Sequence, residues 1–386
     1  MIYFDNAATS FPKPPCVKRA VTDAVTIYGG NPGRSGHRLS AAAAEAVYRV
    51  REKAADMFGG SPENVIFTSN CTHSLNFAIK GLLEQDMRAG NNVHVIISDY
   101  EHNSVARPVY ELTSRSLSCS VAHIGSDDLE TAKSFERLIT PKTKAIISTL
   151  GSNVTGRLLP WKIIGDICKR HDICFIADGA QVCGVLPVSL ADGINILCMP
   201  GHKGLFGIAG TGLLITDGRF PLYHIMEGGT GSTSMELAQT PFLPEGLESG
   251  TVNTPGILSV GAGIDFISRV GMENIHAHEE MMCGVFVSAL SDVHGVRIYR
   301  EEGGAYLPIV LFNIDGLLPE ETAAELDRRG FALRAGLHCS GLGHKAAGTF
   351  PDGGVRFAPS CFNSKEEVLR LVLAVKSIAG NGLAHS

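Results

Sequence analysis

The stretch Asn195-Ile196-Leu197-Cys198-Met199-Pro200-Gly201-His202-Lys203-Gly204-Leu205-Phe206-Gly207 carries an apolar run into a glycine-rich turn. A short apolar run stopped by Pro-Gly reads as a buried strand ending in a loop, and loops held by a rigid scaffold commonly carry chemistry. Lys203 stands in that loop. An amine held close to a packed interior loses solvation, which lowers its pKa and makes it a Schiff-base nucleophile. A single lysine is ordinarily a solvated surface cation. The reading therefore requires companions for Lys203 on neighbouring turns.

Outward from this stretch, strands alternate with helices. Short apolar runs at Val65 to Thr68, Val93 to Ser98, Val121 to Ile124, Ala145 to Leu150, Cys174 to Ala177, Ile196 to Met199 and Gly212 to Ile215 read as strands. Helical spacing marks Ser40 to Phe58, Leu75 to Leu82, Leu129 to Leu138 and the segment after Pro160. Such alternation predicts an α/β fold, a largely parallel sheet covered on both faces. Ligands of these sheets bind beyond the carboxyl ends of the strands. The polar segments there are Ser69 to Ser74, Tyr100 to Ser104, Gly151 to Gly156, Asp178 to Gln181 and Gly201 to Lys203.

The opening Asp5-Asn6-Ala7-Ala8-Thr9-Ser10 is small and polar, and Pro12, Pro14 and Pro15 predict an irregular arm. Beyond residue 255 the texture changes. Helices at Gly256 to Val270 and Asn274 to Leu290 precede strands at Val296 to Tyr299, Leu307 to Ile314 and Phe331 to Arg334, and a helix follows Ser364. We therefore expect a large α/β domain over residues 15–255 and a smaller α+β domain formed by residues 1–14 and 256–386.

A net charge of −6 without a basic block gives no reason to expect nucleic acid as a partner. No apolar run is long enough to span a bilayer and the N-terminus lacks a leader pattern, so no membrane is expected and the location is cytoplasmic. The ten cysteines contain no CxxC pair, which argues against a zinc ribbon or a disulfide framework, and no metal is expected. Most read as small buried hydrophobes.

Asp178 follows a hydrophobic strand directly, where an unpaired charge is costly. Pyridoxal phosphate satisfies both residues: its aldehyde takes a lysine and its pyridinium nitrogen takes an acid. Its phosphate calls for N–H groups at a helix start, which Cys71-Thr72-His73 can give. An aromatic ring such as His102 then covers the cofactor face.

These pieces resemble the class V, fold-type I pyridoxal-phosphate enzymes, specifically the cysteine desulfurases of the group that also contains selenocysteine lyases. The similarity runs from Tyr3-Phe4-Asp5-Asn6-Ala7-Ala8-Thr9 to Glu366-Glu367-Val368. It is most specific in Glu101-His102-Asn103-Ser104, Ser152-Asn153-Val154-Thr155-Gly156, Asp178-Gly179-Ala180-Gln181, Gly201-His202-Lys203 and Arg334-Ala335-Gly336-Leu337-His338-Cys339. The resemblance implies a seven-stranded type of sheet, Lys203 on the cofactor aldehyde, Asp178 on the pyridinium nitrogen, Gln181 near the ring hydroxyl and His102 stacked on the ring. Thr72 and His202 would bind the phosphate, and Thr251 would reach the phosphate of a neighbouring subunit, which implies a homodimer. Asn153 and Arg356 would bind the substrate carboxylate, with Arg334 and His37 as further substrate-side candidates; an arginine can grip a carboxylate bidentately.

Cys339 matches the family's sulfur-accepting nucleophile. It lies in a glycine-rich segment, Gly336 to Gly348, that reads as a mobile loop, beside His338 and Arg334, whose charges would favour a thiolate. The implied reaction converts L-cysteine to L-alanine, the sulfur being retained on Cys339 and passed to an acceptor protein. Selenocysteine lyase, another class V aminotransferase and a non-catalytic cofactor-binding protein are the alternatives. Two departures stand out. Pro200 replaces a common hydroxylic phosphate ligand, and Ser340 to Gly348 differs from the family's usual sequence.

Overall fold

The computed structural model describes residues 1–33, 35–231, 235–301 and 303–382. Its central sheet has seven strands in the order Val65–Thr68, Gly212–Thr216, Ile196–Pro200, Cys174–Asp178, Thr143–Thr149, Val93–Ser98 and Leu117–Ala122. Gly212–Thr216 runs antiparallel to both neighbours, and every other pairing is parallel. Successive side chains of a strand point to opposite faces. Ile96, Ile146, Phe175, Leu197 and Leu213 accordingly enter one core, while Val95, Ile147, Ile176, Cys198 and Leu214 enter the other. Burial on both faces is why these strands read as continuous apolar runs.

A third core lies around a four-stranded antiparallel sheet ordered Arg334–Gly336, Gly354–Phe357, Val310–Ile314 and Val296–Ile298. Phe4, Phe286, Phe312 and Phe357 pack there with Val368 and Leu371. The N-terminal residues join this region, because Ile2–Tyr3 pairs in parallel with Phe331–Ala332. Among the described residues no helix is long and apolar enough to cross a membrane.

Several expectations need correction. Prolines 14 and 15 start a regular helix, Pro15–Thr26, instead of forbidding one, since a proline at the first helical position gives up only an N–H that is unpaired there anyway. A helix at Asn103–Thr113 escaped notice because Pro108 lies inside it. The strand expected at Val121 to Ile124 is Leu117–Ala122; it is the sheet's edge, and its partly exposed Ser118 and Ser120 hide the apolar pattern. The run Phe331 to Arg334 is divided between two sheets. Helix Thr254–Val270 sends Ile257, Val260, Ile264 and Ile267 into the core of the large sheet. The glycine-rich segment after Gly336 is not an open loop: Gly341–Ala346 is a short helix with His344 buried.

Candidate active site

The carboxyl ends of the parallel strands open into a cavity of about 210 Å³. Cys71, Thr72, His102, Asn153, Asp178, Gln181, His202 and Lys203, drawn from five separate stretches of sequence, line it together with Pro200.

Lys203 follows the strand Ile196–Pro200 through a tight turn closed by Gly207 N–H donating to the Gly201 carbonyl at 2.7 Å. A Cβ on Gly207 would stand 2.7 Å from that same carbonyl oxygen, so only glycine lets the turn close. The peptide just before Lys203 is held from the other side. The His202 carbonyl accepts from Ser10 N–H (3.1 Å), Thr9 Oγ1 (3.0 Å), Ser10 Oγ (3.2 Å) and Lys13 Nζ (2.9 Å). Burial lowers the Lys203 pKa, the Arg356 charge lowers it further, and Cys71 and Asp178 oppose the shift. Lys13 is itself lowered to about 8 by burial.

Asp178 ends its strand fully inside. Its Oδ1 accepts from Ala180 N–H at 2.9 Å and from Cys71 Sγ at 3.5 Å. Burial raises its pKa, which the Ala180 N–H and the Lys203 charge counteract. His102 caps helix Asn103–Thr113, its Nδ1 accepting from Ser104 N–H at 3.1 Å. That bond makes Nδ1 the bare nitrogen. Burial and then the Lys203 charge push His102 down to about 4, so the imidazole is neutral near pH 7.

Asn70 caps helix Cys71–Arg88 by accepting from His73 N–H at 2.9 Å. The N–H groups of Cys71 and Thr72 lie in its first turn and have no acceptor within the helix. His202 Nδ1 is buried without a partner among the described residues, and burial lowers that ring to about 4. Gln181 donates Nε2–H to the Ala7 carbonyl at 3.1 Å. Together, the half-buried amine, the buried acid, the orphaned imidazole nitrogen and the open helix start fit pyridoxal phosphate. Pro200 adds nothing polar to that cradle.

Arg356 lies behind the cavity, 1% exposed, donating Nη1–H to the Asn153 carbonyl (2.9 Å) and Nη2–H to Asp5 Oδ1 (2.7 Å). Its Nε has no partner among the described residues. Cys339 is the one exposed cysteine of the ten. It lines an open groove that shares Thr72, His102 and Ser104 with the cavity, and Arg334 Nη2 stands 3.4 Å from its sulfur.

Other expected residues stand apart. His73 and Thr251 line a separate cavity with Ser69 and Glu248. His37 is exposed and uses Nδ1 to cap helix Arg38–Phe58, accepting from Ser40 N–H at 3.2 Å. His338 is no cation beside Cys339: burial drives its pKa down to about 2, so the ring is neutral. Sequence reasoning missed Glu101, a fully buried carboxyl raised to about 8 by burial, whose Oε1 accepts from Ser98 Oγ and from Thr149 N–H (2.9 Å). It also missed the arm residues Thr9, Ser10 and Lys13. A signal for both was present, since Glu101 adjoins His102 and a polar arm without helix-forming pattern has to find partners elsewhere.

A half-buried lysine and a buried acid at the strand ends define a fold-type I cofactor enzyme, and the chain belongs to the aminotransferase class-V family, whose model matches residues 2–371. This is a family of pyridoxal-phosphate enzymes. The chain is 30% identical over 390 aligned residues, 99% of its length and 95% of the relative's, to a probable cysteine desulfurase of Methanothermobacter thermautotrophicus. It is 28% identical to a cysteine desulfurase of Haloferax volcanii, covering 97% of this chain and 88% of that one. Among solved structures, the apo cysteine desulfurase of Thermococcus onnurineus NA1 superposes with a TM-score of 0.90 at 28% identity, over 98% and 95% of the two chains. The cysteine desulfurase of Escherichia coli shares the fold, with a TM-score of 0.86 at 22% identity over 99% and 94%.

Proposed function

We propose that this chain is a pyridoxal-phosphate-dependent cysteine desulfurase that converts L-cysteine to L-alanine and keeps the sulfur as a persulfide on Cys339. The net exchange balances: L-cysteine and the Cys339 thiol give L-alanine and the Cys339 persulfide. The observation that carries the reading is the pairing of an exposed thiol, Cys339, with a cavity that contains a half-buried lysine and a buried acid, the two spaces sharing Thr72, His102 and Ser104.

Pyridoxal phosphate, when bound, supplies the aldehyde for an amine and the electron sink for bond breaking at Cα. Lys203 would hold the cofactor and, once freed by the substrate amine, take the Cα proton on Nζ; its lowered pKa leaves that amine a usable base. Asp178 would keep the ring nitrogen protonated. His102, neutral and capped, would lie against the ring, with Gln181 near its hydroxyl. Thr72, the Cys71 and Thr72 N–H groups and His202 would hold the phosphate, compensating for Pro200. Thr251, standing apart in one protomer, would complete the phosphate site of a second subunit in a homodimer, while His73, whose N–H is taken by the Asn70 cap, adds no donor to the helix start.

Asn153, in the cavity wall, and Arg356, whose Nε has no partner among the described residues, would bind the substrate carboxylate. Arg334, against Cys339, would favour the attacking thiolate; His37 keeps only a distant claim. The two-domain division, residues 15–255 against 1–14 with 256–386, would put Lys203 and Cys339 on different bodies. A cytoplasmic location and a protein sulfur acceptor belong to the same proposal.

The test is stoichiometric. Incubated with L-cysteine and a reductant, the purified protein should release alanine and sulfide in equal amounts. Pyruvate or ammonia in place of alanine would overturn the desulfurase reading.

A further inference from the structure

Cys339 and His338 both adopt left-handed backbone, with φ of 56° and 49°. Residues with a Cβ adopt this region only when their surroundings hold them there. The holding contacts can be followed one at a time. The Asn153 side-chain amide donates to the His338 carbonyl at 2.8 Å. Asn103 N–H donates to the Cys339 carbonyl at 2.8 Å, and Ser340 Oγ donates to the Glu101 carbonyl at 3.0 Å. The turn is therefore fastened to the two loops that build the cavity.

Beneath it runs a buried side-chain relay. His338 Nε2 lies 3.2 Å from the Arg334 carbonyl. A carbonyl only accepts, so Nε2 carries the proton and Nδ1 of the neutral ring is bare. Nδ1 is 3.1 Å from His344 Nε2, which must then donate. That leaves His344 Nδ1 as an acceptor, 2.7 Å from the Thr349 hydroxyl, which donates. One carbonyl thus fixes every proton in the chain. All three side chains are at most 6% exposed, and burial holds His344 down to about 4, so near pH 7 the relay stays neutral and keeps one direction.

We propose that His344 is a positioning residue for Cys339: by donating Nε2–H to His338 Nδ1 it holds the left-handed turn that sets the thiol in the groove beside Thr72 and His102. The proposal rests on the reading of Cys339 as the sulfur acceptor. It goes beyond that reading by assigning a role to the segment after Cys339.

Three variants test it in the holoenzyme. His344→Leu keeps most of the volume and removes the donor. In His344→Gln the terminal amide can still donate to His338 Nδ1, whereas the shorter amide of His344→Asn stops near the Nδ1 position and cannot. The readouts are kcat and KM for alanine formation, the cofactor absorbance, and the rate at which iodoacetamide alkylates Cys339 without substrate. A misplacement of about 1 Å costs roughly 100-fold in rate. We expect a kcat loss of about that size for Leu and Asn with KM and absorbance unchanged, an altered alkylation rate, and recovery to within roughly tenfold of wild type in Gln.

Wild-type kcat and alkylation in the Leu variant would overturn the proposal. Should the Leu variant fail to fold, the Gln and Asn pair decides, and equal values in those two would overturn it as well. Absence of alanine from the wild-type protein would instead break the desulfurase reading, and the alkylation rates would still judge the positioning of Cys339.

Discussion

Lys203 and Cys339 face connected spaces but are built in opposite ways. The lysine is half-buried just past the end of a strand hydrogen-bonded to both its neighbours, and its environment comes from desolvation and fixed charges. The cysteine is exposed on a left-handed turn between the strand Arg334–Gly336 and the helix Gly341–Ala346, whose shape comes from hydrogen bonds to Asn103, Asn153 and Glu101. The difference teaches that the site divides into a part that handles the substrate's Cα and a part that receives its sulfur. The two can be damaged separately.

The largest expected effect breaks the first part alone. Lys203→Ala should lower alanine formation by about 10²–10⁴-fold, the usual contribution of a positioned acid–base group, and abolish the visible cofactor absorbance. Alkylation of Cys339 should proceed at the wild-type rate; a matching loss there would mean the two regions are not separable. Cys339→Ser is the converse. It should reduce sulfur transfer to background while the absorbance stays and still responds to L-cysteine, which a spectral titration would check.

Arg356 stands where the regions meet, and it gives the next effect. Its guanidinium is buried and, among the described residues, its only charged partner is Asp5, with the other contact going to the Asn153 carbonyl. Removing one member of a buried pair strands the remaining charge. Asp5→Ala should therefore destabilise the protein by about 3 kcal/mol, read from urea unfolding. It should also change the KM for L-cysteine more than kcat, because Asn153 lines the cavity directly whereas Arg356 reaches the Cys339 turn only through the Asn153 amide on the His338 carbonyl. A fall confined to kcat would shift Arg356 toward the sulfur-receiving part.

How much of this was legible in the sequence follows the same division. The Lys203 side could be read because a strand buried on both faces is an apolar run, and a polar residue after such a run marks a loop at the sheet's carboxyl end. Asp178, Cys71, Thr72, His102 and Asn153 were all found that way and share one cavity. The Cys339 side could be named from its motif, but its construction could not be read. Glycines 341, 343 and 348 suggested an open loop, whereas His344 lies fully buried against His338. Nothing in the spacing of two histidines six positions apart announces a hydrogen bond between them. The clamp on the His202 carbonyl was hidden for a related reason, since it joins residues about 190 positions distant.

The smallest expected effect concerns Glu101, which is tied to both regions. Its carboxyl accepts from Thr149 N–H on the sheet side, and its carbonyl accepts from Ser340 Oγ on the cysteine side. Burial lifts its pKa to about 8, far above the ordinary value for a glutamate. Between roughly pH 4.5 and pH 8 the folded protein keeps a proton that the unfolded chain has released, so stability must fall as pH rises through that window. Glu101→Gln has nothing to ionise and nearly the same shape as the protonated acid. Its stability should decline less than the wild type's over that window, Glu279 still contributing its own fall, with the two curves diverging by on the order of a few kcal/mol by pH 8. Urea midpoints at pH 5, 6.5 and 8 would measure this. Parallel curves would mean that Glu101 ionises without cost, and a carboxylate charged beneath His102 would then have to count as part of the cavity's electrostatics. Divergence with unchanged alanine formation near pH 7 would make Glu101 a neutral strut between the two regions, contributing to where Cys339 stands and nothing to the charge that Lys203 feels.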